Sequence, residues 1–126
     1  MNAIATTFNG YEYNEFGVCV NPDKPYDFGK YNRFHFEIEV AETSKGWIYG
    51  FLCSHPTGGH GYGCGIPHNP TFPSRSKAIV ACAEIIKRDY KDVKGASKAI
   101  AELDRIISVE SGKKPQLKQL TIFDYL

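Results

Sequence analysis

The chain has 126 residues, of which 42% are hydrophobic and 23% are charged. This size and balance are typical of one folded domain and exclude an intrinsically disordered chain. The formal net charge is only +1, which removes the simplest argument for nucleic-acid binding, an overall basic protein. With no secretion signal at residues 1–7 and no apolar run of the ~20 residues that cross a bilayer, we expect a cytoplasmic protein without membrane contact. Its four cysteines should then be reduced thiols.

Alternating side chains predict a half-buried β-strand over residues 33–41. A polar break leads to residues 47–53, whose aromatic and β-branched content predicts a second strand, paired with the first as a hairpin. Upstream, residues 11–13 and 16–20 suggest one or two further short strands, separated from the hairpin by the turn-rich residues 21–25. An antiparallel sheet follows from this order.

Residues 54–73 are rich in glycine and proline, which predicts a long loop. Apolar residues then recur at steps of three and four, which predicts one helix from a cap at Ser74 to Tyr90 and another between Gly95 and Gly112. The expected fold is α+β, a small antiparallel sheet of three to four strands with two C-terminal helices packed on one face. We expect a single domain over residues 1–110, followed by a linker and C-terminal peptide over residues 111–126.

A set of cysteines and histidines lies between the second strand and the first helix. Thiolate and imidazole are the ligands that zinc prefers in tetrahedral sites, but the spacing has no Cys-x-x-Cys pair, so incidental residues on a glycine-rich loop are the favoured interpretation. Cys64 with a nearby histidine could alternatively form the nucleophile and base of a small hydrolase. The candidate zinc ligands are Cys53, His55, His60, Cys64 and His68.

Aromatic side chains share one face of the predicted second strand, at Trp47, Tyr49 and Phe51. Exposed rings could stack on unpaired bases, as in sheet-face readers of single-stranded nucleic acid. The favoured interpretation is that they form the core beneath the helices. Basic residues near both ends of the first helix could hold phosphate, or could simply be solvated and complement the helix dipole. The nucleic-acid hypothesis uses Trp47, Arg75, Lys77, Lys87 and Arg88.

An apolar segment, Gln119-Leu120-Thr121-Ile122-Phe123, follows the polar linker. It resembles the sliding-clamp-binding peptide of bacterial replication and repair proteins, whose pattern is glutamine, leucine, a small polar or acidic residue, leucine and phenylalanine. Threonine at the third position and isoleucine at the fourth are mild departures from that pattern. A second register, which matches Gln119, Ile122, Tyr125 and Leu126, looks like the archaeal and eukaryotic clamp peptide.

The resemblance implies that the peptide docks on a sliding clamp. Leu120, Ile122 and Phe123 would fill an apolar pocket, while Gln119 would fix the register through hydrogen bonds. The alternative is that the segment folds back on its own domain, as an added strand or between helix and sheet.

The expected function is therefore that of a non-catalytic or accessory protein of DNA metabolism, from a bacterium or a mobile element such as a phage or plasmid. The sliding clamp is its expected partner, nucleic acid is a possible second one, and no cofactor is required. Two alternatives stay open, a small zinc protein or hydrolase and a sheet-face binder of single strands.

Overall fold

A computed structural model of the chain describes residues 4–29, 33–65 and 70–112. The described strands are β1 (Ile4–Phe8), β2 (Tyr11–Asn14), β3 (Asp23–Phe28), β4 (His35–Thr43), β5 (Gly46–His55) and β6 (Gly58–Tyr62). The described helices are α1 (Arg75–Tyr90) and α2 (Ser97–Glu110). The predicted α+β class is confirmed. In the part of the chain that the structure describes, no helix is both long enough and apolar enough to cross a lipid bilayer.

Two antiparallel sheets form the β-structure. Strands β3, β4, β5 and β6 pair in that order, each antiparallel to its neighbour, while β1 and β2 form a separate hairpin. The β4–β5 pair runs without a register shift from His35 opposite Ser54 to Thr43 opposite Gly46. The hairpin predicted from the alternating pattern is therefore confirmed.

Other strands differ from the sequence prediction. β3 begins inside the predicted turn-rich segment, and it tolerates Pro25 because it is an edge strand, where a missing N–H disturbs no ladder. β6 lies inside the predicted glycine-rich loop. Residues 16–20, predicted as a strand, form only isolated bridges, between Cys19 and Tyr13 and between Val18 and Gly65.

The two helices cover one face of the four-stranded sheet, as predicted. Ser74 caps α1 by accepting a hydrogen bond of 3.2 Å from the Lys77 backbone N–H. Completely buried side chains of the helices meet the alternate residues of β4 and β5 in a single apolar core. Its largest completely buried members are Phe36, Ile38, Ile79, Ile86, Tyr90, Leu103 and Ile106.

The opposite face of the sheet is called the open face here. The β1–β2 hairpin packs over one end of it, where Tyr13, Ala41, Ile48 and Cys64 form a second apolar cluster. The Tyr13 hydroxyl donates a hydrogen bond to the backbone carbonyl of Glu42, which joins β2 to β4. The other end of the open face carries polar side chains of β4, namely His35, Glu37 and Glu39.

Candidate functional site

A groove of about 840 Å³ lies on the open face. It is called the acidic groove because Glu37 and Glu39 of β4 form one side of it, with a single lysine, Lys24, beside them. The other side is β6, where glycine places no side chain above the backbone. The groove is lined by Lys24, Glu37, Glu39, Phe51, Leu52, Cys53, Ser54, Gly59, Gly61 and Gly63.

Two glycines of β6, Gly59 and Gly61, are required by close packing against β5. A Cβ at Gly61 would lie 2.2 Å from the Phe51 carbonyl oxygen, and one at Gly59 would lie 2.6 Å from the Cys53 carbonyl oxygen. Backbone atoms at such distances must move, so a larger residue would displace the strand. Gly63, the residue after β6, differs, because its Cβ would make only an ordinary contact of 3.5 Å with Val18.

Three potential metal ligands meet beside the acidic groove. Asp27 lies directly opposite Glu37 in the β3–β4 register, and His35 precedes Glu37 by two residues on the same face. The His35 Nε2 atom is 2.9 Å from Asp27 Oδ1 and 3.4 Å from Glu37 Oε2. Within the described residues, this is the one group of three or more His, Cys, Asp or Glu side chains whose ligand atoms converge.

Glu39 is the most confined carboxylate of the groove. Burial raises the pKa of its carboxyl above the usual range, the nearby Lys24 lowers it, and Glu37 adds to the rise. The Lys24 Nζ atom lies 3.9 Å from Glu39 Oε2, at the limit of an ion pair. One lysine therefore faces two glutamates, and the groove favours a positively charged ligand.

The predicted Cys/His zinc ligands are distributed over both sides of the sheet. Cys53 is buried in the core beneath the helices, and its thiol lies 3.6 Å from Asp89 Oδ2. Cys64 belongs to the cluster beneath the β1–β2 hairpin, and its thiol donates to the Ile48 carbonyl oxygen. The structure therefore separates the two cysteines.

Among the described residues, no histidine of the predicted zinc set lies with other potential ligands of that set around a common point. His55 Nδ1 lies 2.9 Å from Thr57 Oγ1, and the imidazole packs edge-on against Tyr90. The backbone of His60 lies opposite Cys53, while its side chain and all of His68 are outside the described residues. Burial raises the pKa of the Cys64 thiol and opposes formation of the thiolate that a hydrolase would need.

Most of the aromatic face that the nucleic-acid hypothesis would use for stacking on bases is buried. Tyr49 and Phe51 are only 3% and 4% exposed in the core under the helices. Trp47 is half-buried, packs edge-on against Tyr11 at 6.0 Å between ring centroids, and pairs through its backbone with Phe72. The favoured core interpretation agrees with these positions.

The basic residues of the nucleic-acid hypothesis lie at the two ends of α1. Near its beginning, Arg75 Nε is 3.8 Å from Asp23 Oδ2 and Lys77 is exposed. Near its end, Lys87 bonds Asp104 of α2 at 2.6 Å, beside a hollow of about 320 Å³. The basic cluster, as we call the group at this end, consists of Lys87, Arg88, Lys91, Lys94 and Lys98.

The predicted clamp-binding residues Gln119, Leu120, Ile122, Phe123 and Tyr125 lie outside the described residues. In comparisons with known proteins, no family model matches the chain, and no curated protein or solved structure gives a significant match. Function must therefore be argued from the chain's own residues.

Sequence reasoning did not find the Asp27, His35 and Glu37 group. The alternation in β4 placed His35 and Glu37 on the polar side of a strand, but gave them no partner. The missing signal was the strand β3, since only its pairing with β4 brings Asp27 opposite Glu37.

Proposed function

We propose that the chain is a small accessory protein of DNA metabolism, acting in the cytoplasm, which docks on a sliding clamp through its C-terminal peptide. The observation that carries this proposal is the segment Gln119-Leu120-Thr121-Ile122-Phe123. Three apolar side chains in so short a segment are suited to one pocket of a partner, with the glutamine amide fixing the register.

The end of α2 is anchored to the rest of the domain, so the C-terminal peptide begins from a fixed position. Glu110 accepts a hydrogen bond of 2.9 Å from Ser76 of α1 and another from the Tyr26 hydroxyl of β3. Gly112 then has a φ of 77°, in the left-handed region that commonly ends a helix. From Gly112 to Gln119 an extended chain spans at most about 25 Å, so the domain would remain near a clamp that holds the peptide.

The basic cluster supports a position of the domain close to DNA. A sliding clamp moves along duplex DNA, so a clamp-bound protein is held near phosphates. Arg88 and Lys91 are exposed beside the hollow between α1 and α2, whereas Lys87 already has an acidic partner. Weak, salt-sensitive contacts of these side chains with phosphates would orient the docked domain.

Calorimetric titration of the full chain with a purified bacterial sliding clamp tests the docking. Phe123→Ala should weaken binding about tenfold or more, because it removes the largest anchor. Leu117→Ala is the matched control, since it removes an apolar side chain outside both registers. Tyr125→Ala distinguishes the registers, because only the archaeal and eukaryotic type uses that residue.

Two results would overturn the docking proposal. One is the lack of saturable binding at a clamp concentration of about 100 µM, and the other is an equal loss of affinity in Leu117→Ala and Phe123→Ala. Deletion of residues 117–126 should change the melting temperature by less than about 1 °C. A large drop would instead show that the segment folds back on its own domain.

A variant of the basic cluster tests the DNA contact separately. Arg88→Glu with Lys91→Glu should leave binding to the free clamp unchanged and weaken binding to a clamp loaded on DNA. Equal affinities of the variant and the unmodified chain for the DNA-loaded clamp would remove the basic cluster from the proposal. The clamp docking itself would stand.

A further inference from the structure

We propose that Asp27, His35 and Glu37 form a binding site for a divalent transition-metal cation on the open face of the sheet. This inference is independent of clamp docking, because it uses only described residues of β3 and β4. It also differs from the predicted Cys/His zinc site, with which it shares no residue.

The distances from His35 Nε2 to the two carboxylates fit ligands of one shared ion. Imidazole and carboxylate ligands lie about 2.0–2.2 Å from such a metal, so two ligand atoms on one ion are about 3.0 Å apart at a right angle and about 3.4 Å apart at the tetrahedral angle. The observed distances from His35 Nε2 are 2.9 Å to Asp27 and 3.4 Å to Glu37. All three ligand atoms lie within 4.8 Å of one another.

The strand pairing fixes this spacing. Asp27 and Glu37 are direct partners of an antiparallel ladder, and His35 is on the same face of the same strand as Glu37. The Tyr90 hydroxyl lies 2.9 Å from the carbonyl oxygens of both His35 and Ser54, which ties the beginning of β4 to the core. The three ligands therefore stand on a rigid support.

The two carboxylates of the site favour the binding of a cation. Like charges directly opposite each other destabilise a sheet, and Asp27 and Glu37 are such a pair. Within the described residues, neither carboxylate has a lysine or arginine at ion-pair distance, and their one possible cationic partner is His35. A divalent cation would compensate both carboxylates at once.

The ligand set defines the class of metal. One imidazole with two carboxylates suits zinc, manganese, iron or cobalt, whereas magnesium and calcium prefer oxygen ligands alone. Three protein ligands leave coordination positions for water or for a further ligand. The acidic groove, which Glu37 also lines, offers space for that ligand.

Titration of the reduced, chelator-treated full chain with Co²⁺, followed by its visible absorption, tests the site. One equivalent should bind, and Asp27→Asn, His35→Gln or Glu37→Gln should each weaken binding about tenfold or more. Glu15→Gln is the control, because it removes an exposed turn carboxylate that lies outside both the site and the acidic groove. That control should bind Co²⁺ like the unmodified chain.

A second measurement does not depend on the folding of a variant. The chain has four histidines, so their imidazole NMR signals can be followed during addition of substoichiometric Mn²⁺. Selective broadening of the His35 signal supports the site. Broadening of His55, His60 or His68 instead, unchanged Co²⁺ binding in the Asp27→Asn, His35→Gln, Glu37→Gln triple variant, or no saturable binding at about 1 mM metal would each overturn it.

Discussion

Asp27 and Glu37 face each other across the β3–β4 ladder, so that two carboxylates occupy directly opposed positions on the open face. In metal-free buffer at pH 8, Glu37→Gln should therefore raise the free energy of unfolding by about 0.5–1 kcal/mol, by removing like-charge repulsion. Urea denaturation in the presence of a chelator measures the change. Glu15→Gln, which removes an exposed turn carboxylate, should have no effect, and equal stabilities of the two variants would contradict the prediction.

Glu39 should make stability depend on pH in the opposite sense to an ordinary ion-paired carboxylate. Burial raises the pKa of its carboxyl, so the folded protein holds this proton more tightly than the unfolded chain does. The contribution of Glu39 to stability is then present at low pH and is lost as the pH rises through the carboxyl range, above about pH 4. Glu39→Gln should flatten that decline and raise stability at pH 7, as measured by urea denaturation from pH 4 to pH 7.

Glu102 provides the control of opposite sign for that experiment. A hydrogen bond from Arg105 holds the pKa of the Glu102 carboxyl below its usual range, so its contribution is lost as the pH falls. Glu102→Gln should therefore cost stability near neutral pH and lose its effect in acid. If both variants shift the pH profile in the same direction, the environment assigned to Glu39 is wrong.

A methyl group should be tolerated at Gly63, which follows β6, and not at Gly61 within β6. Gly61→Ala places a Cβ 2.2 Å from the Phe51 carbonyl oxygen, and we expect it to lower the free energy of unfolding by roughly 2–4 kcal/mol. Gly63→Ala meets only a side-chain methyl at 3.5 Å and should cost less than about 1 kcal/mol. Thermal and urea denaturation of both variants check the difference, and equal losses would mean that backbone contact with β5 is not the cause.

The cysteine thiols should be unreactive in the folded protein. All four cysteines are buried and none forms a disulfide in the described structure, which includes them all. Burial raises the pKa of the Cys19, Cys64 and Cys82 thiols, and the thiolate is the reactive form. A colorimetric thiol reagent at pH 8 should therefore detect four thiols after unfolding in guanidinium and fewer than about one in the native protein. Rapid labelling of Cys64 in the native protein would contradict this prediction and support the hydrolase hypothesis.

Elements with a strong side-chain period were predictable from the sequence. The alternation of Phe36, Ile38 and Val40 identified β4, and the apolar steps from Ala78 to Tyr90 identified α1 with its cap at Ser74. In these segments the apolar positions that define the sequence pattern are the same positions that are buried in the folded protein. The packing of both helices on one face of the sheet followed from the apolar residues that recur along one side of each helix.

The missed elements lack such a period. β3 contains a proline and two aspartates, and β6 is mostly glycine, so their strand conformation comes from pairing with β4 and β5 rather than from their own residues. The candidate metal site was hidden for the same reason. Asp27 and His35 are eight residues apart in sequence, and only the β3–β4 register brings them within 2.9 Å.

The acidic groove and the basic cluster belong to opposite layers of the fold, although the net charge is only +1. Asp27, Glu37 and Glu39 lie on the open face, while the basic cluster belongs to the helix layer on the other side of the sheet. Within a Debye length of about 8–10 Å, a polyanion attracts the side chains of the basic cluster and repels the three carboxylates of the open face. If the chain docks beside DNA as proposed, the acidic groove would then face the solvent and stay accessible to a small cationic ligand.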